Sequence, residues 1–295
     1  MRPTAKVCWG AFAPLFVAAA VCGQPTARVE MLDGSTAEGV LIALTDKALE
    51  LDRAGSRESV DRDRVLQLKL SATPDAPPPN GSAVVTLIDG SRLPIADPKI
   101  AGFEIDEREA RFTIGRSFSP ATPAIRVATS AVKSVVLATN SRHREAWNRL
   151  VTTDRSSDIV AVLRKEGATI DPVDCTVDSL SRETVVVRLD GEAISVPAAK
   201  VYGVVFADLS AKADDAKSTA VLESNGGFRL AAGRLWTDGA GSFRAANDLL
   251  DAEVIVPRDR VRRVDMSAGR VRWLGDLRLV RHRWRPYHGF PAGLS

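Results

Sequence analysis

Four stretches of the chain share one spacing of apolar positions. Residues 60–68 read VDRDRVLQL, 127–135 VATSAVKSV, 196–204 VPAAKVYGV and 256–264 VPRDRVRRV. In each, a valine is followed five positions later by a second valine, and three positions after that by Leu or Val. A single strand would keep a period of two throughout. The spacing predicts that the first valine ends one strand, that a tight turn or single 3₁₀ turn follows, and that the second valine starts the next strand. Pro197 and Pro257 fall in that turn, where a lost backbone donor costs little. Each closing stretch has an opening upstream: RVEMLDGS (28–35), VVTLIDGS (84–91), VAVLRKEG (160–167) and AVLESNGG (220–227). These read as short apolar strands running into Gly-containing turns. Further strands lie between, GVLIAL with ALELD in the first case and TVVVRLDGEAISV in the third. The last is a hairpin with Asp190-Gly191 at its tip.

The expected fold class is mainly β. Four small units run in tandem over residues 24–70, 83–138, 158–207 and 218–266, each a strongly bent sheet of about five short strands. In pattern each resembles a small Sm-like or SH3-like β-barrel. Units this short bury little core alone, so they are expected to pack pairwise or edge to edge, which hides strand edges. Residues 71–82, SATPDAPPPNGS, form a Pro-rich linker, and 208–217, DLSAKADDAK, a polar one. Residues 139–157 are a helical connector. Ser141 can cap its helix, and Trp147, Leu150 and Val151 share one face. Trp147 is expected to dock that helix on a neighbouring unit; the alternative is a sugar-stacking platform.

Composition sharpens this picture. Aromatics are 5% of the chain, so the core is built from β-branched and small aliphatic side chains. The formal charge of +3 is unevenly spread. Residues 267–295 hold Arg270, Arg272, Arg278, Arg281, Arg283 and Arg285 against Asp276, and the rest of the chain is slightly acidic. Such a tail can attract polyanions or remain a solvated end. Arg2 and Lys6 followed by the uncharged run VCWGAFAPLFVAAAVC (7–22) read as a secretory signal peptide over 1–23, the run being too short for a membrane span. Lipidation at Cys22 is the alternative, although Val21 is a poor match before it. The mature chain is thus expected outside the cytoplasm, periplasmic or secreted, without a transmembrane segment. Cys8 and Cys22 leave with the signal, and Cys175 remains without a disulfide partner. Its acidic surroundings, PVDCTVD, disfavour a thiolate, so it reads as a small packed strand residue.

No specific catalytic constellation is present. His143 is expected on the exposed part of the helix, and His282 and His288 are spaced too loosely for a zinc motif. No nucleophile elbow, phosphate-binding loop or dinucleotide fingerprint follows a strand. DGAGSFRAAND (238–248) reads as a flexible loop. The acid pairs Asp61/Asp63, Glu104/Asp106 and Asp214/Asp215 read as solvated, because any chain with 37 acids offers many such pairs. No catalytic, metal or cofactor-binding residue is expected, and no cofactor; the ligand-binding residues stay unknown. The Sm-like pattern raises RNA as a partner. The signal peptide and the shortage of aromatic platforms argue against nucleic acid.

The order of segments suggests a family. A signal, small β units and a Trp-containing helix precede SDIVAVLRKEG and TVVVRLDGEAISVPAAKVYGVVF, and then MSAGRVRWLGDL. This resembles the N-terminal region of secreted planctomycete-type proteins that carry an NPCBM-type carbohydrate-binding module. Gly269, Val271, Trp273, Leu274, Asp276 and Leu277 match the stretch that opens the module. Gly275 stands where the family has Ser, Arg278 where an acid is common and Leu279 where Pro is common. The resemblance covers about residues 140–290 and contains no catalytic motif. It implies that 267–295 is the first strand of a β-sandwich of which only the start is present, a truncated module whose sugar-binding residues would lie beyond Ser295. The function implied is a non-catalytic extracytoplasmic β-repeat scaffold of a carbohydrate-binding or cell-surface protein. Its partner would be a polysaccharide or cell-envelope glycan, met weakly or not at all through so short a piece of the module. The alternative is a protein–protein interaction module for envelope proteins, through open strand edges. A third reading, a hydrolase, would need a cleft with close carboxylates or a histidine beside a hydroxyl.

Overall fold

The computed structural model describes residues 26–71, 83–95, 103–115, 119, 121–137, 141–153, 156–207, 218–268 and 270–271. The signal segment, nearly all of the 71–82 linker, the 208–217 linker and most of the 267–295 tail lie outside the described residues. The chain is mainly β, with one α-helix among the described residues.

The strands fall into four sets along the chain. The first holds β1 (Thr26–Met31), β2 (Thr36–Leu44), β3 (Ala48–Arg53), β4 (Ser56–Asp61) and β5 (Val65–Leu70). They pair antiparallel in the order β5-β1-β2-β3-β4. The third set holds β12 (Asp158–Arg164), β13 (Thr169–Ser181), β14 (Thr184–Leu189), β15 (Glu192–Pro197) and β16 (Val201–Val205). It pairs in the equivalent order, β16-β12-β13-β14-β15.

The other two sets follow the same plan with a broken second strand. In the second, β6 (Val84–Leu87) pairs β7 (Arg92–Pro94) and β11 (Val132–Val136), while β8 (Glu104–Ile105), β9 (Glu109–Phe112) and β10 (Ile125–Ala128) pair in that order. An Ile95–Ile114 bridge joins the halves. In the fourth, β17 (Ala220–Glu223) pairs β18 (Arg229–Ala232) and β22 (Arg263–Asp265). Across Gly233, β19 (Arg234–Thr237), β20 (Phe243–Ala246) and β21 (Val254–Val256) form a separate three-stranded sheet. The segment 238–248, expected to be a flexible loop, is a tight turn followed by β20. Asp238 accepts from the Ala240 and Ser242 amides, and Phe243 and Ala245 are fully buried.

The valine spacing acts as predicted. A 3₁₀ turn joins the fourth strand to the fifth in every set, at Arg62–Arg64, Thr129–Ala131, Ala198–Lys200 and Arg258–Arg260. Eleven of the twelve patterned Val/Leu positions are buried, and Val196 is partly so. The residue before each turn has φ between −56° and −59°, so proline fits there without strain. No described strand pairing joins a fourth strand to its fifth. Hydrogen bonding therefore leaves each set an open strip.

Long-range pairing then links the sets. The fifth strands of the first and last sets pair, with Leu68 opposite Val264, and those of the second and third pair, with Val135 opposite Val204. Further pairings, β8 with β13 and β7 with β18, tie the second set to the third and fourth. The result is one nineteen-stranded sheet besides the three-stranded one. The alternation of each strand sends one row of side chains inward, for example Ala37, Val29, Leu68, Val264, Leu222 and Leu230, all buried in a single core cluster.

The helix α1 (Arg144–Thr152) packs through Trp147 onto Ile159, Ala161, Tyr202 and Val205. A Cβ on Gly203 would sit 2.5 Å from the Val135 carbonyl oxygen and 2.7 Å from the Trp147 ring, so the close approach requires glycine. Ser141 opens a 3₁₀ turn, Ser141–His143, before α1, and the residue at the helix cap is His143.

Candidate functional site

Among the described residues, His143, Trp147 and Cys175 are engaged in structure. His143 is 4% exposed, which corrects the expected surface position. It lies in the turn that the Trp147 dock presses against the sheet. Its Nε2 donates to the Gly167 carbonyl at 2.8 Å, and its ring meets Tyr202 edge-on at 5.5 Å. Gly167 belongs to a strained loop in which Lys165, Glu166 and Gly167 all have φ near the left-handed region, 49°, 55° and 84°. Trp147 is buried, and its ring packs on Tyr202, so it presents no open face for a sugar. Cys175 is buried in β13, and burial, reinforced by the nearby Asp158 charge, pushes its thiol up to about 11.

One acid of each described pair serves a turn, while Asp63 and Glu104 are exposed. Asp61 accepts from the Asp63 amide and Asp106 from the Arg108 and Glu109 amides. Those backbone donors hold the Asp106 carboxyl below its usual range. Among the described residues no group of three His, Cys, Asp or Glu could hold a metal, and no helix is long and apolar enough to cross a membrane. His282, His288 and the Asp214/Asp215 pair lie outside the described residues.

Buried polar side chains tie the sets together. Arg62 and Arg258 each occupy the first position of a 3₁₀ turn, in the first and last sets. Arg62 donates to Thr45 and Leu235 carbonyls, the latter in the last set, at 2.9 and 2.8 Å. Arg258 reciprocates, donating to Leu41 and Ile42 carbonyls in the first set. Burial lowers both guanidinium pKa values by stripping water from the cation, and the carbonyl oxygens that accept from them replace part of that lost solvation. Between the second and last sets, Ser119 Oγ donates to the Ile255 carbonyl and Thr122 Oγ1 accepts from the Ile255 amide at 2.9 Å. Asn247 Nδ2 donates to Asp89 at 2.6 Å and to the Ala231 carbonyl at 2.7 Å, while Ser91 Oγ accepts from the Ala231 amide.

The exposed surface is more distinctive. Across the seam between the first and last sets runs a row of directly opposed residues: Arg92, Arg229, Glu223, Arg263, Lys69, Arg28 and Glu38, on β7, β18, β17, β22, β5, β1 and β2. Opposed residues of paired strands project from the same sheet face, and this is the face opposite the core row above. Only Glu223 in the row is buried, at 8% exposure. Its carboxylate meets Arg229 at 3.0 Å, Arg263 at 3.0 Å and Arg262 at 3.3 Å. Lys69 pairs Glu30 at 2.6 Å and Arg28 lies 3.7 Å from Glu38. Arg92 makes no ion pair with a described residue.

The second seam, between β11 and β16, has the same register, so position by position it can be compared with the first. Arg263 corresponds to Gly203, Lys69 to Val136 and Asp265 to Val205. There the outer face, apart from the buried Ser134, is apolar and is covered by α1. One seam is thus covered and greasy, the other open and charged. Sequence reading placed the basic character in the tail and missed this row. Its members come from strands far apart in the chain, and only the alternation of charged with apolar residues in each strand hinted at an outward charged face.

No family model matches the chain, and no curated protein matches it.

Proposed function

We propose that the chain is a non-catalytic, extracytoplasmic β-repeat scaffold: four Sm-like/SH3-like units in tandem, mounting a glycan-binding or cell-surface function. The observation that carries this reading is where the polar chemistry goes. His143, Arg62, Arg258, Ser119, Thr122, Asn247 and Glu223 each spend their hydrogen bonds or charge on another part of the same chain. Such groups position strands rather than reacting atoms. The resemblance to NPCBM-carrying proteins and the signal-like N-terminus support the compartment and the glycan context. Fractionation of the source cells, with the purified chain assayed on chromogenic glycosides, esters and peptides, tests the proposal. It predicts an exported chain trimmed near Gly23 and no turnover. A cytosolic chain, or turnover abolished by one substitution, contradicts it.

The alternative, an envelope protein-interaction module, has one specific observation in its favour. The outer edges of β10 and β21 are capped by Asp251 and by Ser119 with Thr122. The corresponding edges of β4 and β15 have no backbone partner among the described residues, and Ile194 on β15 is exposed. Such edges can accept a strand from another chain. Pull-down from an envelope extract separates the readings: a specific protein partner indifferent to added glycans favours the module.

A further inference from the structure

The charged row on the open seam contains three directly opposed like-charge pairs: Arg92 with Arg229, Arg263 with Lys69, and Lys69 with Arg28. Opposed like charges destabilise a sheet. A solvated face chosen for stability alone would alternate sign across strands. Here the carboxylates undercompensate at one end. Glu223 serves three arginines, and Arg92 beside them is unpaired with any described residue. The equivalent positions of the other seam, Gly203 and Val136, show that this register does not require cations.

We infer that this row is a binding surface for a linear anionic polysaccharide, its carboxylate or sulfate groups lying along Arg92, Arg229, Arg263, Lys69 and Arg28. With strands about 4.8 Å apart, the seven-residue row extends roughly 30 Å across the sheet. That step is comparable with the rise of one sugar unit in an extended chain, so successive acidic groups can meet successive strands. The Arg guanidiniums supply planar forks suited to carboxylate and sulfate. The row contains no aromatic residue on which bases could stack, which disfavours single-stranded nucleic acid. It also contains no apolar residue to enter a lipid surface. The inference relies on the scaffold proposal only for the compartment in which ligand is met; binding by the purified chain is read independently of export and of turnover.

The experiment measures binding of the full chain to heparin, polygalacturonate, neutral dextran, single-stranded DNA and anionic phospholipid vesicles. Binding to the two acidic polysaccharides is expected, falling steeply between about 50 and 200 mM salt, with none to dextran. R92Q combined with R229Q should weaken it roughly tenfold or more, while R57Q on β4 leaves it unchanged. A variant with Arg278, Arg281 and Arg283 replaced by Gln should retain the dependence on Arg92 and Arg229. Circular dichroism of each variant confirms folding, and K69Q serves if the double variant does not fold. Absence of binding, binding lost with the tail arginines but not with the row, or tighter row-dependent binding to DNA or vesicles would each overturn the inference.

Discussion

At single residues the backbone sets the rules. Ala128 precedes a 3₁₀ turn with φ −59° and ψ 135°. The Thr129 amide donates to the Arg108 carbonyl, so Ala128 and Glu109 form a pair without mutual hydrogen bonds, and the Ala128 amide points away from β9. The corresponding residues of the third and fourth sets are Pro197 and Pro257. Ala128→Pro should therefore stabilise the chain by about 0.4–1 kcal/mol, by restricting the unfolded state; urea denaturation reads it as a higher midpoint with unchanged slope. Gly203 is the opposite case. Val135 backbone and the Trp147 ring leave no room for a methyl group. Gly203→Ala should cost about 1–3 kcal/mol, the range of overpacked cores, measurable in the same titration.

At the scale of elements, α1 seals one seam. Trp147 fills the gap above Gly203 and meets Tyr202, which in turn supports His143. Trp147→Ala should cost about 3–5 kcal/mol and expose the β12–β16 face, so hydrogen exchange should accelerate at Ile159 and Tyr202 before it does at Leu41. Much of this level was legible in the sequence. The valine spacing gave the 3₁₀ corners, because a five-residue interval breaks strand periodicity. Asp190-Gly191 gave a hairpin tip, since φ values of 52° and 89° suit Asp and Gly. The Gly-rich segment 238–248 misled because glycines mark tight turns as readily as loose ones, and the short strand after them buries only Phe243 and Ala245. His143 misled because helical periodicity does not describe the 3₁₀ turn that holds it.

For the whole molecule, topology was the part hidden from sequence. Pairing of β5 with β22 joins strands separated by most of the chain, and local patterns carry no term for it. That seam makes the first and last sets one sheet, aligns Arg62 with Leu235 and Arg258 with Leu41, and assembles the charged row. Arg270 reinforces it by donating to the Asp63 and Val65 carbonyls at 2.9 and 2.8 Å. The open edges of β4 and β15 and the charged row are then two distinct surfaces, one offering backbone groups and the other fixed charge.

The seam itself can be tested covalently. The Leu70 amide donates to the Arg262 carbonyl at 2.9 Å, so Lys69 and Arg263 form a pair without mutual hydrogen bonds. Their Cα atoms are then about 4.5 Å apart, within the range a disulfide spans. Lys69→Cys with Arg263→Cys, in a chain expressed without residues 1–23, should oxidise spontaneously in air. Thiol titration in denaturant should then find Cys175 alone, and the melting temperature should rise relative to the reduced form. Three free thiols in the air-exposed double variant, with both single variants folded, would contradict the account.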